Sequence, residues 1–455
     1  MGNRVTKRSY FKAGMYLLEN LTAGMYTEPM SIYREYIQNA VDSIDLSIPT
    51  GRKALTKVNI ILEPFAQKIT ISDNGAGIPS NVAQQILSSI GSSSKTGSSA
   101  RGFRGIGRLG GIAFSDKAVF RTKAKGENIE SIQEWDCKKL RNLLLDPKVV
   151  SKSLKNSFQE ITRFTQRNSR KPKDSYFEVT LYGVSSFRNQ IMDIEKIRNY
   201  LSQVSPVPFN PNDFTYSREI DTFLASNLSH YGKYNITLNG DQIYKPYRDE
   251  VRLTKRGFDH IDNIKFFEIR LKEENPVAYG WYGVRHDFLG SIIKGDITSG
   301  IRVRAGNILI GDAHQLDSCF REARFNSYMI GEIHVDSGDL LPNSRRDDFV
   351  DNKVKTEFYN SIEREIGLPI SKEIRLLSRL RSKTVIPSVN IQKNAVLLKT
   401  KSDNAFREIA DTPKASDALS VEKDFIQKNR FELLQKICGK CTKLKEIHDA
   451  IKLIV

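Results

Sequence analysis

The sequence predicts an α+β fold class, with a layered first block over residues 1–190, a second α/β block over 191–354 and a helical region over 355–455. Three observations support this. Helical periodicity at 28–46 is followed at once by two strand-like runs, Val58–Leu62 and Lys68–Ser72, with only a short connection at 63–67. That is hairpin order rather than strand–helix–strand order. Strand patterns then resume in a second group after a polar stretch, and beyond Val354 the apolar spacing becomes helical.

Taken in chain order, residues 10–20 and 28–46 read as helices, with Pro29 at a favourable early position of the second. Ser80–Ile90 reads as a short helix, and 91–111 as a Gly/Ser-rich loop. Ala118–Lys123 and Tyr176–Tyr182 read as further strands of the first block. The stretch from about 190 to 235 reads as polar linking sequence. The second block takes strands at 235–238, 265–271, 278–282, 301–310 and 332–335. Residues 382–415 lack periodicity and read as a linker, and 423–455 as one or two amphipathic helices.

Composition narrows the function classes. At 455 residues the chain has room for two to four domains, and 39% hydrophobic with 27% charged residues suits folded cores. No apolar run reaches the ~18 residues that span a bilayer, and the N-terminal residues lack a signal-peptide apolar core, so a cytoplasmic protein without membrane contact is expected. Four cysteines are too few for a disulfide scaffold. The single pair Cys438 and Cys441 has no second pair to complete a zinc site. A net charge of +17 favours a polyanionic partner. Arg163, Arg167, Arg170, Lys171 and Lys173 cluster in one loop-like stretch, and Arg375, Arg379, Arg381 and Lys383 in another.

Three segments suggest chemistry. Glu35, Asn39 and Asp42 lie at i, i+4 and i+7, on one helix face. There the Asn oxygen can ligate Mg²⁺ and the Glu can deprotonate a water, although an ordinary polar face has the same spacing. Asp73-Asn74-Gly75-Ala76-Gly77 ends a strand. It can be a plain turn, or a buried acceptor for an adenine amine with glycines that let the base approach the backbone. Gly102-Phe103-Arg104-Gly105-Ile106-Gly107-Arg108-Leu109-Gly110 contains a literal GxGxxG, but no strand precedes it, so a dinucleotide fold is rejected. Its backbone N–H groups are better placed to meet phosphates, with Lys95, Arg101 and Arg104 as nearby cations.

In order and spacing these segments resemble the N, G1 and G2 boxes of the GHKL ATPases: gyrase, the ninety-kilodalton heat-shock chaperone, histidine kinases and MutL. The segment 34–42 is closest to the chaperone's version, and 90–97 resembles the lid of the chaperone and MutL. The resemblance implies a Bergerat-type layered α/β sandwich that binds ATP and Mg²⁺. Glu35 is then the general base, Asn39 the Mg²⁺ ligand, and Asp73 the adenine contact, with Asp42, Gly75 and Gly77 shaping the pocket. Lys95 and the segment Gly102, Phe103, Arg104, Gly105, Ile106 and Gly107 belong to the lid and phosphate loop. The family's later Gly-Thr is missing, since the matching strand reads Ser175 to Leu181.

Downstream, Asn343-Ser344-Arg345-Arg346-Asp347 resembles the chaperone's middle-domain segment, which sends an arginine to the γ-phosphate. Anchored on Ser344, that arginine is Arg345; anchored on Asn343, it is Arg346. The implied function is ATP hydrolysis that drives lid closure and homodimerisation, in a clamp acting on nucleic acid. One alternative is a chaperone-like machine acting on protein clients or a partner subunit. The other is a nucleotide-sensing module with little turnover.

Overall fold

Helix α1, Ser31–Ser47, buries Tyr33, Ile37, Val41 and Ile44 along one stripe, against the inner face of a sheet that begins with β1, Lys57–Glu63, and β2, Lys68–Asp73. In β1 and β2 alternate residues are buried: Val58, Ile60 and Leu62 in one, Ile69, Ile71 and Asp73 in the other. One-sided alternation of this kind is what a strand covered by helices on one face requires. The computed structural model describes residues 28–47, 56–89, 107–145, 154–169, 174–184, 188–254, 257–271, 275–286 and 290–384.

The chain continues through α2, Ser80–Ser88, and a 3₁₀ segment, Gly107–Phe114. It then forms β3, Lys117–Lys123; β4, Ile129–Asp136; α3, Cys137–Leu145; α4, Leu154–Ile161; β5, Thr162–Asn168; and β6, Tyr176–Tyr182. A single turn at Arg188–Ile191 precedes α5, Ile194–Val204, and α6, Ser217–Asn227. The strands β7, Asn235–Leu238, and β8, Asp241–Gln242, complete an eight-stranded sheet in the order β5-β4-β3-β6-β2-β1-β7-β8. Every pairing in it is antiparallel except β1 with β7.

The second sheet comprises β9, Glu250–Arg252; β10, Phe258–Arg270; β11, Pro276–Arg285; β12, Gly300–Ala305; β13, Ile308–Ile310; and β14, Ile330–Val335, in the order β13-β12-β14-β11-β10-β9. One core of this sheet packs under α7, Lys353–Ile362, a π turn at Glu363–Gly367 and α8, Leu368–Thr384. The other holds Trp281 with Phe209, Phe214 and residues of α6. Ile308 and Leu309 of β13 pack into the core of the first sheet, so the two sheets are wedged together.

The α+β class and the layered order match the sequence expectation. Four local readings differ. Residues 190–235 are largely helical, because α5 and α6 each bury a narrow apolar stripe within polar sequence: Ile197 and Leu201 in one, Ile220 and Leu224 in the other. Asn235–Leu238, expected in the second block, pairs with β1 of the first sheet. Thr162–Asn168, read as part of a basic loop, is an edge strand in which Arg167 Nε meets Glu130 Oε2 at 2.6 Å. Part of the second basic cluster is also paired, since Arg375 Nη2 lies 2.8 Å from Glu322 Oε1. The expected helix at 10–20, the linker near 382–415 and the pair Cys438 and Cys441 lie outside the described residues.

Between the sheets sits a buried charge cluster. Glu332 of β14 accepts from Lys245 Nζ at 2.9 Å, from Arg304 Nε at 2.5 Å and lies 2.9 Å from His334 Nε2, and all four side chains are essentially closed to water. Burial, and then the nearby Arg304 cation, pulls the Lys245 ammonium down to about 7. Burial likewise lowers His334 to about 4, against the opposing pull of Glu332. The neutral imidazole donates from Nε2 to Glu332, and Nδ1 has no hydrogen-bond partner among the described residues.

Because the folded site resists protonation, the unfolded chain binds the extra proton first. The His334 contribution to stability is therefore full above pH about 6.5 and is lost as pH falls towards about 4. The expected loss is roughly 1.4 kcal/mol per pH unit and roughly 3 kcal/mol in all. Urea unfolding of the wild type and His334→Gln across that range checks this. Equal pH slopes in the two proteins would rule out the assignment.

Candidate functional site

Helix α1 presents Glu35, Asn39 and Asp42 on successive turns. Asp42 is buried and Asn39 partly buried, while the Glu35 side chain is 12% exposed. Among the described residues, the one charged group near Glu35 in ion-pair range is Arg34, at 3.8 Å, and no hydrogen bond engages the Glu35 carboxylate or the Asn39 amide. A carboxylate and an amide one turn apart, both partly sheltered, can receive a water and a hard cation.

The 3₁₀ segment that opens with Gly107 seats directly on this helix. The Tyr36 hydroxyl accepts from Gly111 N at 3.1 Å, and a Cβ at Gly111 would come within 2.4 Å of the same hydroxyl. The chain leaving the Gly-rich stretch is thus pinned one residue from Glu35. Burial holds the Tyr36 phenol well above its ordinary range. The Tyr200 hydroxyl on α5 is also buried, lacks a hydrogen-bond partner among the described residues and lies within electrostatic reach of Arg34, Glu28 and Glu35.

At the end of β2, Asp73 is buried and its Oδ1 accepts from Gly75 N at 2.8 Å. The turn expected of Asp-Asn-Gly is therefore formed. The two glycines have packing reasons of their own. A Cβ at Gly75 would lie 2.3 Å from Ser43 Oγ, and one at Gly77, where φ is +65°, would lie 2.0 Å from Lys123 O. The loop is pinched between α1 and the end of β3.

Sequence reading missed a hydroxyl here. Thr122 Oγ1 accepts from Ile78 N at 2.8 Å and donates to Tyr176 O at 3.1 Å, tying the loop to β6. Only the β3–β6 pairing brings it there, and no local motif marks it. Where the family's Gly-Thr would be sought, Ser175 and Tyr176 instead line a polar hollow with Lys57, Asn59, Ser72 and Glu178. Lys57, Asn59 and Ser72 alternate with the helix-facing positions, and Asp73 and Asn74 at the end of β2 also border the hollow.

The arginine segment reaches the same helix from the second block. Arg34 Nη2 donates to Arg345 O at 2.7 Å across 311 positions of sequence. The Arg345 side chain is exposed and makes no hydrogen bond among the described residues. Arg346 is buried, with φ +57°. Its backbone N donates to Asn343 O, and its backbone O accepts from Gly311 N at 2.9 Å. The structure thus brings Glu35, Asn39 and the backbone of Arg345 into one region. Lys95, Gly102, Phe103, Arg104, Gly105 and Ile106 fall outside the described residues. Among the described residues no group of three or more His, Cys, Asp or Glu is arranged to hold a metal. A single amide oxygen suits Mg²⁺, which keeps most of its waters and is commonly held through substrate phosphates. No helix among these residues is long and apolar enough to cross a membrane.

Residues 27–169 match the profile of the family described as histidine kinase-, DNA gyrase B-, and HSP90-like ATPase. The chaperone protein HtpG of Photorhabdus laumondii is 29% identical over 140 residues, covering 26% of this chain and 22% of that protein. The alignment therefore spans about a fifth of that relative's length. Among solved structures, the ATPase region of Saccharomyces cerevisiae topoisomerase II is similar over 76% of this chain and 85% of that one, at 13% identity and a TM-score of 0.43. Through residues 27–169, which hold the three motifs in order, this chain is similar to the GHKL ATPases.

Proposed function

We propose that the chain binds ATP with Mg²⁺ against α1 and hydrolyses it, with an arginine supplied by the second block. The observation that carries the proposal is the bond from Arg34 to the Arg345 carbonyl, which ties the arginine segment to the helix of Glu35. Glu35 takes the proton of the attacking water, and its partly buried carboxylate, held only by a long ion pair to Arg34 among the described residues, suits that role. Asn39 supplies the metal oxygen ligand; the bound Mg²⁺ would neutralise phosphate charge. Asp73 accepts from the adenine amine, and Asp42, Gly75 and Gly77 support that pocket. Lys95 and Gly102 to Gly107 close over the phosphates. The exposed Arg345 is better placed than the buried Arg346 to swing towards a γ-phosphate, where a planar, permanently charged fork can hold two oxygens.

The cycle is read as lid closure with pairing of two copies, in a cytoplasmic clamp acting on nucleic acid, which the net charge of +17 favours. A second reading, a machine acting on protein clients or a partner subunit, is favoured by the similarity to a protein named as a chaperone.

Glu35→Ala should lower turnover by ~10²–10⁴ while ATP still binds. Asp73→Asn should weaken ADP binding by about 1.5–3 kcal/mol. Turnover assays and calorimetry on both variants separate the two roles. Unchanged turnover in the first, or equal ADP affinity in the second, removes that residue from the site.

Steady-state ATPase activity with DNA, RNA or an unfolded protein added distinguishes the partners. Stimulation by nucleic acid that fades steeply as salt rises is expected of the clamp. Stimulation by unfolded protein alone would replace it with the second reading. Sedimentation should show a dimer with a non-hydrolysable ATP analogue but not with ADP, and one mass under all conditions would contradict the closure cycle.

A further inference from the structure

The arginine segment is the tip of a hairpin whose stem is closed by Val350 N to Leu341 O and Asn343 N to Asp348 O, both at 2.8 Å. At its tip Arg346 has a left-handed φ of +57°, a conformation that a long side chain adopts only where its surroundings hold it. Backbone bonds to Gly311 and Asn343 supply part of that hold. Asp348, at the base of the tip, closes the hairpin through its carbonyl and ties it to α7 through its carboxylate.

Asp348 Oδ1 accepts from the Tyr359 hydroxyl at 2.7 Å, and Oδ2 meets Lys355 Nζ at 2.6 Å. Both partners lie on α7. The Tyr359 hydroxyl in turn accepts from Gln315 Nε2 at 2.8 Å. Gln315 Oε1 is packed so close to Gly311 that a Cβ there would come within 2.2 Å of it. Gly311 N is the donor that holds Arg346 O, so the circuit from Asp348 through Tyr359 and Gln315 returns to the hairpin tip. Burial and the hydrogen bond to Asp348 keep the Tyr359 phenol above its ordinary range, so it remains a donor. Burial disfavours the Asp348 carboxylate, but Lys355 and Tyr359 outweigh it and keep it ionised. Phe349, next in the chain, packs edge-on against Phe358 with ring centroids 5.9 Å apart, which fixes the hairpin to the same helix.

We propose that Asp348, Tyr359, Lys355 and Gln315 form a clamp that aims the arginine tip at the nucleotide, with Asp348 and Tyr359 acting as positioning residues for Arg345 or Arg346. This rests on the reading that one of these arginines reaches the phosphate. The clamp touches no substrate, so its loss should change the rate and not binding.

Tyr359→Phe removes one hydroxyl and leaves the ring. It should lower kcat by between about 10- and 100-fold, the scale of a misplacement of about an ångström, with KM for ATP and affinity for ADP unchanged. Adding it to whichever of Arg345→Ala and Arg346→Ala slows turnover should produce little further loss, because both remove the same contact. A general loosening of the fold would instead multiply the two effects, or raise KM. A kcat within about twofold of wild type, or a fully multiplicative double variant, overturns the clamp while the arginine reading stands. If neither arginine variant slows turnover, the arginine reading fails and the clamp falls with it. Lys355→Met, which removes the other partner of Asp348, gives the same reading should Tyr359→Phe not fold.

Discussion

Glu332, enclosed with Lys245, Arg304 and His334, is the interaction on which the relation between the two sheets depends. An isolated carboxylate or ammonium cannot be held without water; such groups persist only if paired and hydrogen-bonded. The cluster's outer bonds show what is being joined. Arg304 Nη2 reaches Gln203 O at the end of α5, and Asn307 Nδ2 reaches Gly232 O in the approach to β7. Arg302, also buried, reaches Gln203 Oε1. The second sheet is thereby fixed to elements of the first by directional bonds as well as by apolar contact, and directional bonds specify one arrangement. With β12 and β14 held in this way, the hairpin that follows β14 is delivered to Arg34.

Much of the first sheet was legible in the sequence. β1, β2, β3 and β6 alternate or run apolar with short punctuation, and α1 carries a clean stripe. β4 and β5 were not read as strands, because Glu130, Gln133, Arg163 and Gln166 interrupt their apolar pattern. Glu130 meets Arg167 and Gln166 meets Ser131 across the two strands, partners that no local window contains. Positions 35, 39, 42 and 73 could be chosen because helix spacing and turn chemistry are local properties. Lys245, Thr122 and Asp348 could not, since each acquires its meaning from residues 11 to 87 positions away.

Glycine shows the limit of motif reasoning. Gly75 and Gly77 invite a ligand-based explanation, yet the protein itself fills the space that their missing side chains leave: Ser43 beside one and the Lys123 carbonyl beside the other. Both explanations can hold at once, because a loop pressed this flat between α1 and β3 also lies close to Asp73. The packing requirement stands whether or not a nucleotide is bound.

The parallel pairing of β1 with β7 has a consequence for how the chain is made. β1 emerges early in synthesis, but its outer edge stays without partners until Asn235–Leu238 has been added, and the same core waits further for Ile308 and Leu309. Long-range closure of this kind is slow, and an open strand edge invites pairing with other chains. The first block therefore cannot mature on the ribosome ahead of the second. A nascent chain stalled between these points carries an apolar face and a free edge at the same time, which is the state in which a newly made protein is most exposed to aggregation and most in need of being held.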